Sequence, residues 1–195
     1  MQRHRGQRRA NAGFRHPGWL GALVLVASGC GLPWGCRSEP PPPRGPIVGK
    51  PAPEITDKVE FWAGVNEVEL AACKGKKAVL LFFWHPKDGG KSLAALPAIA
   101  ELAREFAGRG LLTVGLCVLT EGSEPDEFVA QAEELRRQHN LPFPIGLDCD
   151  ADAHVAYRVD ESGTPWCCLV DTGGVVVWAG RPGDLTAGAV RRYLP

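Results

Sequence analysis

An unbroken apolar run, Ala78–Trp84, constrains the fold of this chain more than any other feature of its sequence. The run reads Ala-Val-Leu-Leu-Phe-Phe-Trp, with the lysine-rich residues 74–77 before it and His85 and Pro86 after it. A strand that is apolar on both faces must be covered on both faces. The run therefore predicts the central strand of an α/β sheet with helices on both sides.

Periodic patterns on the C-terminal side of this run predict the remaining elements. Apolar positions in residues 91–107 recur at intervals of three and four, which predicts a helix with a kink at Pro97. Similar patterns predict strands at 111–119 and 144–147, helices at 123–139, 151–157 and 185–194, and a hairpin formed by 166–170 and 175–178. This order of elements predicts a mixed sheet with helices on both faces.

The N-terminal segment has the composition of an export signal. Residues 1–29 contain five arginines and no acidic residue, and an apolar run at residues 19–27 follows the arginines. This run is about half the ~20 residues that a membrane-spanning helix needs, so a signal peptide over residues 1–29 is predicted. The sequence Ala27-Ser28-Gly29-Cys30 resembles a bacterial lipobox, which predicts lipid attachment at Cys30 and a membrane anchor. An ordinary or uncleaved signal is the alternative.

A proline-rich spacer follows, and it separates the signal from a single domain. We assign residues 30–46 to the spacer, which contains four consecutive prolines, and residues 47–195 to the domain.

The chain beyond residue 29 is acidic. The whole chain has 22 lysine and arginine residues and 22 aspartate and glutamate residues, and five of the arginines lie in residues 1–29, so the remainder has a net charge of −5. That sign argues against a nucleic-acid partner, which would require a basic face.

Several short motifs within residues 47–195 occur in an order that resembles one known group. The group is the extracytoplasmic thioredoxin-like proteins of redoxin, TlpA-like and alkyl hydroperoxide reductase (AhpC/TSA) type. The motifs are Val48-Gly49-Lys50-Pro51-Ala52-Pro53, Lys74-Gly75-Lys76 before the apolar run, Pro97, Gly163-Thr164-Pro165, and residues 169–176. The resemblance implies a thioredoxin-like fold, thiol-disulfide oxidoreductase or peroxidase chemistry, and a cis bond between Thr164 and Pro165.

The cysteines of that chemistry are missing from the positions where the resemblance puts them. Counting back from Pro97 places the two cysteines of a C-x-x-C motif at Gly89 and Ser92. An alignment with peroxiredoxins of the bacterioferritin-comigratory type places the reactive cysteine at Leu93 and its supporting threonine at Gly90. Thiol exchange requires a thiolate. We therefore predict the fold of this group without its catalytic cysteines.

Cysteines elsewhere in the chain are the alternative source of a thiol. Cys167 and Cys168 follow the predicted cis-proline loop, but neighbours on a strand point to opposite faces, and small apolar cysteines are ordinary core residues. Cys117 lies inside a predicted strand. The other candidates are Cys36, Cys73 and Cys149, some of which could form disulfides in an oxidising compartment.

The start of the predicted active-site helix has partial features of two further kinds of site. Gly90-Lys91-Ser92 resembles the end of a phosphate-binding loop, but His85 occupies the position of the required first glycine. The two glycines could still offer free backbone amides to an anion. His85 and Asp88, with Cys73 and His154 elsewhere, are too few and too scattered to predict a metal site.

The sequence thus predicts an exported, lipid-anchored protein of thioredoxin fold that lacks dithiol activity and acts as a binding or scaffold module, with a protein or peptide partner in the extracytoplasmic space. No cofactor and no metal are predicted. The alternative is a thiol-disulfide oxidoreductase or a peroxiredoxin-like antioxidant enzyme that uses Cys167, Cys168 or another displaced thiol.

Overall fold

A computed structural model describes residues 45–118 and 125–195. Six strands form one sheet in the order β1-β4-β3-β2-β5-β6. The strands are β1 (Phe61–Ala63), β2 (Ala78–Trp84), β3 (Leu111–Val118), β4 (Ile145–Asp148), β5 (Trp166–Val170) and β6 (Val176–Gly180). The helices are α1 (Leu70–Cys73), α2 (Lys91–Phe106), α3 (Pro125–Gln138), α4 (Asp152–Ala156), α5 (Val159–Ser162) and α6 (Ala187–Arg191).

The sheet is mixed, as the sequence predicts. Strands β2, β3 and β4 run parallel, whereas β1, β5 and β6 each pair antiparallel with their neighbours. The parallel strands therefore end at the same edge of the sheet. Pairing of Phe83 with Trp166 brings the start of β5 to that edge, beside the end of β2.

Alternating residues of β2 face two separate cores. Leu80, Phe82 and Trp84 pack with residues of α2, α3 and α6, whereas Val79, Leu81 and Phe83 pack with residues of α1, α4 and the N-terminal part of the domain. Every side chain of β2 is buried. The thioredoxin-like arrangement of a mixed sheet with helices on both faces is confirmed.

The shortest elements are those that the sequence analysis missed. Strand β1 and helices α1 and α5 have three or four residues each, too few to show a period in the sequence. β1 exists because it pairs with β4, and α1 begins where the carboxylate of Glu54 accepts hydrogen bonds from the amides of Leu70 and Ala71. The final helix spans Ala187–Arg191, shorter than predicted, and it begins where the Thr186 side chain caps it by accepting a hydrogen bond from the Ala189 amide.

The predicted signal peptide, Cys30 and nearly all of the spacer lie outside the described residues. None of the helices in residues 45–118 and 125–195 combines the length and the hydropathy that a membrane span requires.

Candidate functional site

The loop between β2 and α2 forms the centre of the candidate site. It leaves the sheet at His85, at the edge where the parallel strands end, and reaches the helix through Gly89 and Gly90. Both glycines have left-handed backbone angles, with φ of 73° and 82°, which a side chain would strain. Gly90 is the N-cap residue of α2 and supplies no side-chain oxygen to the first turn.

Ser92 lies in the first turn of α2 and is fully buried. Its hydroxyl accepts a hydrogen bond from the His85 amide at 3.1 Å and donates one to the carboxylate of Asp88. The Ser92 amide donates to both oxygens of the same carboxylate, at 3.1 and 3.0 Å. Asp88 thus caps the helix from outside it, and it joins the loop to the helix through Ser92.

The negative charge of Asp88 is favoured at the N-terminus of α2. Partial burial raises the pKa of Asp88, but the hydrogen bonds from the Ser92 side chain and amide, together with the nearby His85, lower it below the ordinary value. An ionised carboxylate at a helix N-terminus is stabilised by the helix dipole. The chain's own carboxylate therefore accepts the Ser92 amide, a donor in the first turn that an external anion could otherwise use.

The capping role of Asp88 at this site is the feature that sequence reasoning missed. The sequence analysis paired Gly89 with Ser92, but the side chain that faces Ser92 belongs to Asp88, and a Cβ at Gly89 would meet nothing within 4 Å. Sequence reasoning treated Asp88 only as a metal ligand. The available signal was an aspartate shortly before a predicted helix start, a position that favours capping.

A second loop lies beside the end of β2. It contains Thr164 and Pro165, whose peptide bond is cis, in agreement with the expectation for this bond. Pro165 is buried and Thr164 is half-buried. Pairing of Phe83 with Trp166 holds this loop next to the residues that follow β2, so the structure brings the Thr164-Pro165 loop and the Asp88–Ser92 pair to one edge of the sheet.

Comparison with known proteins identifies this architecture. Residues 48–179 match the AhpC/TSA family. The chain belongs to the AhpC/TSA family. No curated protein sequence matches it.

Solved structures support the same fold for this AhpC/TSA protein. It is similar to the thioredoxin domain of a thiol-disulfide oxidoreductase from Bacteroides vulgatus (22% identity, 76% of this chain, 98% of that chain, TM-score 0.57). It is also similar to a secreted disulfide oxidoreductase from Mycobacterium tuberculosis (19%, 70% and 98%, TM-score 0.50) and to peroxiredoxin Q from Xanthomonas campestris (18%, 68% and 84%, TM-score 0.51). At these identities the likeness concerns the fold.

The cysteines of this AhpC/TSA domain lie away from the start of α2. Cys167 and Cys168 are fully buried in β5, in different cores on opposite faces of the sheet, and Cys117 is fully buried in β3. Burial raises the pKa of Cys168 to about 12 and the pKa values of Cys117 and Cys167 well above their ordinary values. The five cysteines of the described residues are free thiols. The geometry gives Cys167 and Cys168 the surroundings of core residues.

His154 has a structural partner of its own. Its Nδ1 atom lies 2.7 Å from Oδ2 of Asp148, the last residue of β4, and the same oxygen accepts a hydrogen bond from the His154 amide at 2.9 Å. Both side chains are buried, and the His154 ring packs edge-on against Phe83 at 5.0 Å. In residues 45–118 and 125–195, no three His, Cys, Asp or Glu side chains are grouped as metal ligands.

Proposed function

We propose that this AhpC/TSA protein is exported, is anchored to a membrane by lipid at Cys30, and binds an extended polypeptide instead of exchanging disulfides. The observation that carries the proposal is the hydrogen-bonded pair of the buried Ser92 and the partly buried Asp88 at the start of α2. The resemblance to TlpA-like proteins implies a dithiol at Gly89 and Ser92. The chain instead has a glycine and a serine at these positions, and the serine hydroxyl is bonded to the carboxylate of the preceding Asp88.

Neither group can perform the chemistry of the missing cysteines. Disulfide exchange proceeds through attack of a thiolate on a sulfur atom and through a mixed disulfide. Peroxide reduction likewise needs a thiolate, which becomes a sulfenic acid. A serine hydroxyl and a carboxylate form neither species. The negative charge of Asp88 at the helix N-terminus would also oppose the formation of a second anion there.

The Thr164-Pro165 loop supplies the proposed binding surface. Among the described residues, the amide and the carbonyl of Thr164 have no hydrogen-bond partner, and they lie at the edge where β2 ends. An extended peptide can pair with such backbone groups as an added strand. An apolar cleft of about 150 Å³ lies on the α2 side of the β2–α2 loop. The residues that line it include Trp84, Pro86, Leu93 and Phe128. This cleft could receive a side chain of the peptide.

The proposed location rests on the N-terminal sequence. The arginines, the apolar run and the lipobox-like residues before Cys30 support export and lipid attachment. The similar Mycobacterium tuberculosis protein is described as secreted. Intact-mass analysis of the membrane fraction should show a chain that begins at a lipid-modified Cys30. An unmodified chain that begins at another residue would contradict the anchor.

Two assays test the binding function against the enzymatic alternative. The purified protein should reduce an artificial disulfide and hydrogen peroxide no faster than buffer, because no thiolate is available at the helix start. It should bind S-carboxymethylated α-lactalbumin, a permanently unfolded polypeptide, in a saturable manner. Thr164→Pro, which removes the amide donor, should weaken this binding, whereas Thr164→Ala should not. Turnover by the native protein would contradict the proposal, as would binding that is equal in both variants.

A further inference from the structure

One arginine holds the backbone of the Thr164-Pro165 loop. Arg181 follows β6, and its Nη1 atom donates hydrogen bonds to the carbonyls of Gly163 at 3.0 Å and Pro165 at 3.1 Å. Its Nη2 atom donates to the carbonyl of Ser162 at 2.7 Å. Three of the four carbonyls in residues 162–165 therefore converge on a single guanidinium group. The remaining carbonyl, that of Thr164, is not among its acceptors.

The aromatic ring of Trp166 supports the same guanidinium group. The Cζ atom of Arg181 lies 5.6 Å from the centroid of this ring, within the range of a cation–π interaction. Trp166 is the first residue of β5 and pairs with Phe83 of β2. The sheet therefore fixes the ring, the ring orients the arginine, and the arginine holds the loop.

The loop has little else to hold it on its outer side. Gly163 is exposed, has a left-handed φ of 70°, and a Cβ at this position would contact nothing within 4 Å. Apart from Arg181, its backbone is held by a hydrogen bond from the Gly163 amide to the carbonyl of Val159 at 2.6 Å. Pro165 is buried and anchors one end of this segment, whereas the exposed Gly163 has no packing contact to orient its carbonyl, and there the hydrogen bonds from Arg181 supply the constraint.

We propose that Arg181 is a positioning residue, which holds residues 162–165 in the conformation that leaves the Thr164 amide and carbonyl available to an extended polypeptide. This inference rests on the proposed peptide-binding function and names the residue that prepares its surface. By turning the neighbouring carbonyls inward, Arg181 leaves one backbone donor and one acceptor, both of Thr164, for a ligand strand. That is the pattern that pairing with an added strand requires.

Substitution of Arg181 by lysine tests the role of the planar guanidinium group separately from that of its positive charge. A lysine at position 181 keeps the positive charge but has a single nitrogen, which cannot reach three carbonyls in this geometry. Arg191→Lys is the matched control, because Arg191 is also exposed, lies over the Phe106 ring at 5.9 Å and pairs with Glu105 away from the loop. Both variants change one exposed arginine that stacks on an aromatic ring.

The experiment measures hydrogen exchange of the Gly163 amide by NMR, since this amide is hydrogen-bonded to the Val159 carbonyl, and binding of S-carboxymethylated α-lactalbumin, both in the full chain. Arg181→Lys should increase the exchange rate and weaken binding by about three- to tenfold, the range that corresponds to the loss of one or two hydrogen bonds. The thermal midpoint should remain near that of Arg191→Lys, since a residue of purely structural importance would lower stability without a selective effect on affinity.

The outcomes separate this inference from the function on which it rests. Binding by Arg181→Lys that equals wild type would overturn the positioning role while the proposed function stands. Unchanged exchange at the Gly163 amide would overturn it as well. A wild-type protein that fails to bind the unfolded polypeptide would overturn the proposed function itself, and with it any role of Arg181 in binding.

Discussion

The hydroxyl of Ser92 donates a hydrogen bond to the carboxylate of Asp88, four residues earlier, and both groups meet at the start of α2. The same carboxylate accepts the Ser92 amide, so one side chain satisfies the helix terminus and the hydroxyl beside it. Together with the hydrogen bond from the His85 amide to the Ser92 hydroxyl, this contact joins the β2–α2 loop to the first turn of α2. It leaves the helix start neither a thiol nor a free amide at Ser92 with which to act on a substrate.

The Asp88 cap should contribute measurably to stability. Asp88→Ala removes the acceptor for the Ser92 amide and hydroxyl, so we expect the free energy of unfolding to fall by about 1–2 kcal/mol, as for the loss of other helix caps. Urea denaturation monitored by tryptophan fluorescence measures the change. Lys87→Ala, at the exposed neighbouring position, is the control and should change the free energy by less than about 0.5 kcal/mol. Equal effects of the two substitutions would show that the cap contributes nothing.

Introduced cysteine pairs should show which residue faces Ser92. Asp88→Cys with Ser92→Cys places two thiols on side chains that already touch, so we expect mild oxidation to close a disulfide between them. Gly89→Cys with Ser92→Cys forces a side chain onto a left-handed backbone, at a cost of about 1–2 kcal/mol, and should close less completely. Counting free thiols in denaturant after oxidation gives the result. Faster closure of the Gly89 pair would contradict the geometry of the loop.

The buried cysteines should be unreactive in the folded protein. Because burial raises the pKa of Cys168 to about 12 and that of Cys167 well above its ordinary value, almost no thiolate exists at pH values near 8. We expect an aromatic disulfide reagent to label Cys117, Cys167 and Cys168 only at the rate of unfolding, and to label them at once in denaturant. Mass mapping of the labelled peptides identifies each site. Rapid labelling of Cys167 or Cys168 in native buffer would favour the enzyme that uses displaced thiols.

The hydrogen bonds between Asp148 and His154 should contribute strongly to the free energy of unfolding. Asp148→Ala leaves two buried donors of His154 without an acceptor, so we expect a loss of about 3 kcal/mol in the free energy of unfolding. A double-mutant cycle with His154→Ala should give a coupling energy above about 1 kcal/mol. The exposed pair of Arg137 and Glu134 is the control, with an expected coupling of about 0.3–0.5 kcal/mol. Coupling at Asp148 and His154 that is no larger than in this control would contradict the buried hydrogen bond.

Stability should fall at acidic pH partly through Glu54. Burial raises the pKa of Glu54, but hydrogen bonds from the amides of Leu70, Ile55 and Ala71 and from Thr56 outweigh that effect and lower it below 4.5. A lowered folded-state pKa means that the stabilisation is present above the unfolded value and disappears as the pH falls through the folded value. We therefore expect Glu54→Gln to flatten the loss of unfolding free energy between about pH 6 and pH 3. Glu67→Gln, at an exposed position, should leave the slope unchanged, and a slope that Glu54→Gln also leaves unchanged would contradict the prediction.

The sequence by itself determined the elements whose burial is periodic or continuous. The run Ala78–Trp84 forms β2 with the predicted bounds because each of its side chains has a core to enter on one face or the other. Helix α2 begins at Lys91 and the β5–β6 hairpin turns at residues 171–175, as the local patterns predict. Such elements repeat one local preference over many residues, so a single sequence contains enough signal to locate them.

Only the tertiary structure decided the contacts between residues that no local pattern relates. Strand β1 exists because β4, more than eighty residues later, offers it a partner. Arg181 reaches the carbonyl of Gly163 because antiparallel pairing of β5 and β6 brings the two ends of the hairpin together. Asp88 faces Ser92 because two left-handed glycines turn the chain between them. Each contact depends on the order of strands or on the path of a loop, and these are fixed by packing of the whole domain rather than by the preference of any one segment.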